Sequence, residues 1–358
     1  MGKRNNRLTI LQPIVPHYRD MFFEGLLQEF DIVDIYCYET IDKNSAFKNS
    51  VAIDTKQIKS FYVGPFLFYN PFTLLKSKSK TLVLMLNFGH ITTWMLLLTK
   101  WIHRKRIILW GQGISVKRYL SEEKKRDFKL KWMIAFSDGD WIYTEKEAAL
   151  WKQCFPKKQI VSLNNTLKCS YETKLSASAI KELKKKYGIV QNKILIFSAR
   201  FENPYRRVDL LLDAIKQLPQ DQIGFIIIGG GSLKPDFSVY KNVYDFGKLY
   251  DDGIKKELFS IADIYFQPGW VGLSIVEAMS YSLPIFTFKR TDNIKQCVEY
   301  AYIIDRYNGL LFDNLENFLQ SVQTISNEEI KHMGENALQY AKNNLTIKNM
   351  VNRAISIV

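Results

Sequence analysis

The sequence predicts an α/β protein made of two Rossmann-like, doubly wound domains that face a cleft. Three observations predict this class. The chain has 358 residues, which is long for one hydrophobic core. Apolar, strand-like runs alternate with amphipathic helical patterns in two separate series, one in each half of the chain. A polar stretch, Lys168–Ser178, lies between the two series and is the predicted connection.

The first series contains six predicted buried strands: Leu8–Leu11, Val33–Tyr38, Thr81–Leu86, Arg106–Trp110, Trp141–Tyr143 and Ile160–Leu163. Helical patterns lie between them, as over Arg19–Phe30 and Glu122–Ser137. Because strands alternate with helices, the sheet is predicted to be parallel and covered on both faces.

The apolar segment Thr81–Trp101 is about long enough to span a bilayer. It is interrupted by Asn87, Gly89 and His90, which are residues typical of a turn. The segment is therefore predicted to be a strand, a turn and a helix over Thr92–Trp101, in preference to a membrane span.

The second series has five predicted strands: Lys193–Ala199, Gly224–Ile228, Asn242–Phe246, Ile264–Gln267 and Pro284–Phe288. Its predicted helices are Val208–Gln217, Ile254–Ala262, Leu273–Ser280 and the chain from Glu328 onward. Ligands of such sheets bind beyond the carboxyl ends of the strands, so a site is expected there. The predicted domains are 1–170 and 171–340. Residues 341–358 form a C-terminal helix that could cross back to the first domain.

The four cysteines, Cys37, Cys154, Cys169 and Cys297, are scattered, with no Cys-x-x-Cys pair and no histidine at metal-ligand spacing. This pattern argues against a disulfide framework and a zinc site, and favours a reducing cytoplasm. No metal site and no cofactor are predicted. The chain begins without the apolar region of a signal peptide.

The net charge of +14 is concentrated in the first half of the chain. Residues 51–131 hold 16 basic and 4 acidic side chains and are interleaved with aromatic residues such as Phe61, Trp94 and Trp101. Lysine, arginine and interfacial aromatic residues favour an anionic membrane surface. A basic surface without a partner is the alternative. Nucleic acid is not predicted as a partner, because no recognised nucleic-acid module is present.

The most informative motif is Gln267–Phe288, in which a strand, a glycine-bearing turn and a helix follow one another. The free N–H groups of Gly272, Leu273 and Ser274 would form a phosphate site at the start of that helix, and Ser274 could also cap it. Glu277 lies one turn further on, where its carboxylate could accept hydrogen bonds from ribose hydroxyls. Taken alone, these residues could equally be ordinary helix caps.

Two arginines, Arg200 and Arg206, flank one strand-to-helix loop. Their guanidinium groups could converge on a diphosphate through bidentate hydrogen bonds. A solvated basic loop is the alternative interpretation.

Most of residues 194–345 resembles glycosyltransferase family 4, the retaining GT-B family that builds bacterial surface polysaccharides. The resemblance rests on the strand end Ser198-Ala-Arg-Phe201, on the run Ile226–Gly231, on Asp245-Phe-Gly-Lys248, on VGLSIVEAMSYSLPI and on Asn308-Gly-Leu310. It implies the GT-B fold, a nucleotide diphosphate sugar as donor and no need for a metal. It also implies that the predicted domain 1–170 binds the acceptor and that 171–340 binds the donor.

The resemblance also implies residue roles. Arg200 and Arg206 would hold the donor diphosphate, with Arg206 in the place of a family lysine. Gly272, Leu273 and Ser274 would form the backbone phosphate site, and Glu277 would bind the ribose as the second glutamate of a Glu-x7-Glu motif. The turn Gly229-Gly230 would contact the donor, and Lys248 and Leu249 the base. The first glutamate is missing, because its position is Gly269. This departure leaves the sugar undetermined.

The N-terminal half resembles the same family at Gln12–Arg19, at Trp110–Gly113 and at Asn164-Asn165-Thr166. His17 or His90 could face the transferred sugar, although a single histidine is more often structural.

The predicted function is transfer of a hexosyl unit from a nucleotide sugar to a hydroxyl of a glycan or glycolipid acceptor in surface polysaccharide synthesis. The enzyme would be cytoplasmic and peripheral, at the inner face of the cell membrane. Two alternatives remain open at this point: a non-catalytic membrane-associated GT-B partner protein and a nucleotide-sugar 2-epimerase.

Overall fold

The computed structural model describes residues 4–40, 50, 52–171 and 175–358. The chain divides into two compact units: Met1–Lys168 with Thr346–Val358 forms unit 1, and Cys169–Leu345 forms unit 2. The predicted connection Lys168–Ser178 includes residues 172–174, which lie outside the described residues.

Unit 1 is built on a parallel sheet. Its strands are β1 (Arg4–Gln12), β2 (Phe30–Cys37), β3 (Lys56–Gln57), β4 (Ser60–Val63), β5 (Phe66–Tyr69), β6 (Thr81–Met85), β7 (Arg106–Gly111), β8 (Gly139–Ile142) and β9 (Ile160–Ser162). Seven of them form one sheet in the order β3-β2-β1-β6-β7-β8-β9 with parallel pairing throughout. β4 and β5 form a separate antiparallel hairpin, which the sequence analysis missed.

The helices of unit 1 up to residue 168 are α1 (Asp20–Glu29), α2 (Pro71–Leu75), α3 (Ile91–Leu98), α4 (Lys100–His103), α5 (Tyr119–Lys124), α6 (Phe128–Phe136) and α7 (Glu145–Cys154). The prediction of one helix over Glu122–Ser137 was wrong, because α5 ends at Lys124 and α6 begins anew. The Asp127 carboxylate accepts hydrogen bonds from the N–H groups of Lys129 and Leu130 and so caps a second helix.

The segment Thr81–Trp101 has the predicted order of strand, turn and helix, although its helix is divided at Thr99 into α3 and α4. Within the described part of the chain, no helix combines the length and the apolar run that a membrane crossing requires.

Unit 2 has a second parallel sheet, with strands β10 (Lys193–Ser198), β11 (Ile223–Ile228), β12 (Val243–Asp245), β13 (Ile264–Phe266), β14 (Ile285–Phe288) and β15 (Gly309–Phe312) in the order β12-β11-β10-β13-β14-β15. Its helices are α8 (Ala177–Lys186), α9 (Val208–Gln217), α10 (Asp252–Ile261), α11 (Ser274–Ser280), α12 (Leu315–Thr324) and α13 (Asn327–Asn344). Because successive residues of a strand point to opposite faces, Ile194 and Ile196 belong to one core while Leu195 and Phe197 belong to another. Both faces of the sheet are therefore covered, as in a doubly wound fold.

The last helix, α14 (Ile347–Ile355), belongs to unit 1, where it packs against α1. Thr346 caps it by accepting a hydrogen bond from the N–H of Asn349. At the contact, a Cβ on Gly25 would lie 2.6 Å from Val351 Cγ2, so glycine allows the two helices to approach closely. Arg353 pairs with Glu145 at 2.8 Å and fixes the outer side of α14.

Candidate active site

The predicted donor residues lie beyond the carboxyl ends of four adjacent parallel strands of unit 2. Arg200 follows β10, Gly229 follows β11, Lys248 follows β12, and Gly272 follows β13. The sheet order places these strands side by side. The tertiary structure therefore gathers at one sheet edge residues that are up to 72 positions apart in the chain.

Glycine is required where three of these strand ends meet. Gly229 has a φ of +144°, and a Cβ there would lie 2.0 Å from the carbonyl oxygen of Ala199. Its N–H donates a hydrogen bond to the carbonyl of Gly247 at 2.7 Å. Gly230 contacts the side chain of Lys248, because a Cβ at this position would lie 2.6 Å from Lys248 Cγ. The strand ends are thus held in direct contact, with Lys248 lying over the glycine turn.

Arg206 is held in a 3₁₀ turn, Pro204–Arg206, which Asn203 caps by accepting a hydrogen bond from the N–H of Tyr205. Burial lowers the pKa of the Arg206 guanidinium, and the nearby charge of Arg200 lowers this pKa further. Its Nε is buried and has no hydrogen-bond partner within the described residues. No carboxylate in that part of the chain pairs with it. An arginine remains charged in proteins, so a half-buried cation without a counterion favours an anionic ligand.

The start of α11 lies next to this arginine. Both Tyr265 and Cys297 interact with the Arg206 charge, and a Cβ on Gly272 would lie 4.0 Å from Cys297 Sγ. Among the described residues, the N–H groups of Gly272, Leu273 and Ser274 donate to no protein acceptor. Free N–H groups beside a cation are an arrangement that suits phosphate oxygens.

The prediction that Ser274 caps α11 was wrong. Leu273 occupies the N-cap position and makes no side-chain hydrogen bond to the helix. Ser274 is the first helical residue, and its hydroxyl lies 2.8 Å from the Tyr265 hydroxyl and 3.1 Å from Gln267 Oε1. These two contacts tie the start of α11 to the end of β13, because Tyr265 lies in β13 and Gln267 directly follows its last residue.

Glu277 forms an ion pair that the sequence analysis missed. Lys255 Nζ of α10 lies 2.7 Å from Glu277 Oε1, and about three quarters of each side chain is buried. The carboxylate of Glu277 also interacts electrostatically with Tyr265, as Arg206 does, so both charged groups lie near the end of β13. Lys255 has no motif signal in the sequence, since only the packing of α10 beside α11 brings it to Glu277.

Replacing Lys255 with methionine is expected to raise the KM for the donor several-fold, because Glu277 would lose the cation that fixes its orientation. The stability loss should stay below about 1 kcal/mol, as for other partly exposed ion pairs. Steady-state kinetics and chemical denaturation measure the two effects. Lys186→Met is the control, because it removes a comparable ion pair, 2.5 Å to Glu257, elsewhere in unit 2. An unchanged donor KM in Lys255→Met would contradict the positioning role.

The absent first glutamate has a steric explanation. Gly269 is buried, and a Cβ there would lie 2.4 Å from the carbonyl oxygen of Tyr205. The next residue, Trp270, has a φ of +55° and stacks on the Tyr205 ring at 5.1 Å. Gln267 Nε2 donates to the carbonyls of both Gly269 and Trp270 and holds this backbone in place. The loop that carries Arg206 thus rests directly on Gly269.

The two histidine candidates belong to unit 1 and differ in their surroundings. His17 is exposed in the turn His17–Arg19 after β1. His90 is only 4% exposed and packs edge-on against Tyr38 at 5.3 Å. Burial lowers the pKa of His90 to about 4, so its imidazole is neutral at neutral pH. A catalytic role of either residue stays a prediction.

The burial of His90 predicts a pH-dependent stability. Below pH 6.5 the unfolded chain gains a proton at this histidine, while the folded protein stays neutral down to about pH 4. Stability is therefore fully present above pH 6.5 and is lost as the pH falls from 6.5 to 4, by up to about 3 kcal/mol. Urea denaturation at pH 8, 6 and 4.5 should show this loss in the wild type and a smaller one in His90→Phe. Equal pH dependence in both proteins would contradict the assignment.

Unit 1 contains a cavity of about 440 Å³ beyond the carboxyl ends of β6 and β7. It is lined at the predicted glycine motif by Gly111, Gln112 and Gly113, and its polar side chains include Glu122 and Tyr143. The glycine motif was predicted from the sequence, whereas the acidic and aromatic side chains that line the cavity come from other parts of the chain.

Arg19 contacts Tyr143, one of the residues that line this cavity. Its guanidinium is buried, lies 4.6 Å from the Trp110 ring and donates a 2.8 Å hydrogen bond to the Tyr143 hydroxyl. The predicted loop Gln12–Arg19 therefore reaches the cavity through Tyr143.

Comparison with known proteins agrees with this architecture. Residues 179–344 match the family described as Glycosyl transferases group 1. Among curated proteins, none matches the chain significantly in sequence.

Several solved structures share the fold of the whole chain. HepE of Anabaena, solved in complex with UDP, has a TM-score of 0.67 at 13% identity and covers 98% of each chain. Sucrose-phosphate synthase from Thermosynechococcus elongatus has a TM-score of 0.67 at 14% identity, over 99% of this chain and 98% of that one. The lipopolysaccharide outer core galactosyltransferase WaaB has a TM-score of 0.65 at 12% identity, over 98% and 100%. These neighbours show the GT-B fold with two Rossmann-like domains. The chain is a glycosyltransferase, and its second unit carries a glycosyl transferases group 1 domain.

Proposed function

We propose that the enzyme transfers a hexosyl unit from a nucleotide diphosphate sugar to a hydroxyl of a glycan or glycolipid acceptor. The observation that carries the proposal is Arg206, a half-buried cation without a carboxylate partner in the described chain, beside Arg200 and the free N–H groups of Gly272–Ser274. HepE, which shares the fold, was solved with UDP and with UDP-glucose, and this supports a nucleotide sugar as the donor class.

In the proposed reaction, the bond between the anomeric carbon and the diphosphate oxygen breaks while a bond to the acceptor oxygen forms. The diphosphate leaves with the bonding electrons and gains negative charge, and the proton of the acceptor hydroxyl passes to this diphosphate or to bulk water. Arg200, Arg206 and the helix-start N–H groups would stabilise the leaving diphosphate, which is the main electrostatic demand of the step. The family resemblance supports retention of the anomeric configuration and a reaction without a metal.

Glu277 and Lys248 complete the proposed donor site. The Glu277 carboxylate, oriented by Lys255, would accept hydrogen bonds from the ribose hydroxyls. Lys248 and Leu249 would contact the base, and Gly229 and Gly230 would allow the donor to approach the backbone closely.

The proposed acceptor and the proposed cellular location rest on the positive charge of residues 51–131. Residues 51–131, with 16 basic and 4 acidic side chains, would attract the enzyme to an anionic lipid surface. We therefore propose a lipid-linked acceptor for surface polysaccharide synthesis, at the cytoplasmic face of the cell membrane.

A panel of UDP-, GDP- and dTDP-sugars, assayed for nucleotide release and transfer, tests the proposal. We expect turnover with one donor by the wild type and its loss in both Arg206→Ala and Glu277→Ala. Nucleotide binding that these variants abolish, measured by calorimetry, would place the donor site even where the assay lacks the acceptor. No binding of any nucleotide by the folded wild type would refute the proposed function.

A further inference from the structure

Helix α6 carries large apolar side chains on its exposed side as well as on its buried side, which is unusual for a helix at a protein surface. Met133 and Ile134 are buried in the core of unit 1. On the outer side, Phe128, Trp132 and Phe136 are exposed at a spacing of four residues, with Phe128 66% and Trp132 57% exposed. Trp132 and Phe136 stack at 5.8 Å and form a continuous aromatic stripe.

The end of α3 and the whole of α4 present a second apolar stripe. Helix α4 has no buried residue. Its Trp101 is 77% exposed, and Ile102 beside it and Leu98 at the end of α3 are also exposed. Large apolar side chains clustered at a surface indicate an interaction site.

The two stripes lie side by side on one surface. Helices α3 and α6 pack against each other. Near the start of α6, Lys129 Nζ lies 4.4 Å from the ring of Phe88, which precedes α3. Just after the end of α6, Asp138 pairs with Lys100 of α4 at 2.6 Å. The apolar surface formed by Leu98, Trp101, Ile102, Phe128, Trp132 and Phe136 is called the α3–α6 face below.

Positive charge accompanies the α3–α6 face. Residues 100–131 hold eleven basic and three acidic side chains. Arg104, Lys125, Lys129 and Lys131 are exposed. Two nearby carboxylates are already engaged, since Asp138 pairs with Lys100 and Asp127 caps α6. The surface therefore combines exposed tryptophan and aliphatic side chains with exposed lysines and arginines, of which Arg104, Lys125, Lys129 and Lys131 form no ion pair with a carboxylate in the described part of the chain.

We propose that the α3–α6 face inserts its apolar side chains into the interfacial region of an anionic lipid bilayer. A bilayer satisfies both features at once, because tryptophan and aliphatic side chains enter the acyl boundary while lysines meet the anionic headgroups. Nucleic acid would match the charge but would leave Leu98, Ile102 and Phe128 in water. The inference rests on the proposed membrane partner of the enzyme and adds that apolar insertion, as well as charge, holds the enzyme there.

The α3–α6 face also borders the cavity of unit 1. Two residues next to this face line the cavity: Phe88, which precedes α3, and Leu130, which lies in α6. Insertion of the face would place the cavity mouth at the headgroup level, where a lipid-linked acceptor carries its glycan.

Vesicle binding tests the proposal with the full chain. The wild type should sediment with phosphatidylcholine vesicles that contain 30% phosphatidylglycerol, and dibrominated acyl chains should quench its tryptophan fluorescence. Trp101→Ala and Trp132→Ala should each weaken binding about ten-fold and reduce the quenching. Val190→Ala with Val239→Ala is the control, because both valines are highly exposed on unit 2 and should not matter.

Each other outcome overturns the proposal. Binding without bromine quenching, abolished by 0.5 M salt, would mean attraction by charge alone. A wild-type dimer that the tryptophan variants convert to monomers, without lipid, would mean that the face joins two copies of the chain. Nucleotide binding, measured without lipid, distinguishes these results from failure of the proposed transferase function, because the variants leave the donor residues unchanged.

Discussion

Replacing Arg206 with alanine is expected to lower kcat/KM for the nucleotide sugar by about 100- to 1,000-fold, the range observed when one group that stabilises developing negative charge is removed. The physical reason is the half-buried position of the guanidinium, whose Nε finds no protein partner in the described chain. A charge held away from water interacts more strongly with a leaving diphosphate than an exposed charge does.

The Arg206 variant should remain folded, because removal of a half-buried cation without a counterion relieves a desolvation cost. Arg206→Lys should recover only part of the activity, since an ammonium lacks the bidentate geometry of a guanidinium. Lys289→Ala is the matched control, because Lys289 is a cation of the same unit whose partner is the exposed Asp313 at 2.9 Å. Unchanged kinetics in Arg206→Ala, with this control also active, would exclude Arg206 from the donor site.

Replacing Gly269 with glutamate restores the Glu-x7-Glu pattern. It should nevertheless lower kcat/KM for the donor by about as much as Arg206→Ala does, roughly 100- to 1,000-fold. Any Cβ at this position would lie 2.4 Å from the carbonyl oxygen of Tyr205, so the loop Asn203–Arg207 would have to move. Displacement of that loop also displaces Arg206. Overpacking of this kind costs about 1–3 kcal/mol of folding stability.

Gly269→Ala separates the steric cause from the chemistry of a carboxylate. It introduces the same Cβ without a charge and should lose activity as well. Thermal denaturation and donor kinetics of both variants provide the measurement. A Gly269→Glu enzyme that is more active than the wild type, beside an inactive Gly269→Ala, would instead show that the site accepts a catalytic glutamate.

Much of the fold could be predicted from local sequence signals. The buried strands are short apolar runs, as in the wholly buried Ile223–Ile228, and periodicity identified α9 at Val208–Gln217 with its correct bounds. The hairpin of β4 and β5 was missed because its exposed face carries Phe61, Tyr62 and Val63, so it lacks the alternation of a half-buried strand. The division of Glu122–Ser137 was missed because Asp127 acts as a cap inside a continuous helical pattern.

The sequence by itself determined which residues stand at strand ends and helix starts, since turn glycines, caps and apolar runs are local properties. It therefore pointed to Arg200, Arg206, Gly272 and Glu277 as candidates, and their common sheet edge follows from the parallel strand order. Only the tertiary structure decided which other residues the site residues contact. Lys255 meets Glu277, and Tyr205 rests on Gly269, because helices and loops that are 22 and 64 residues apart pack together. Such contacts depend on side-chain packing across the fold, and no local pattern encodes them.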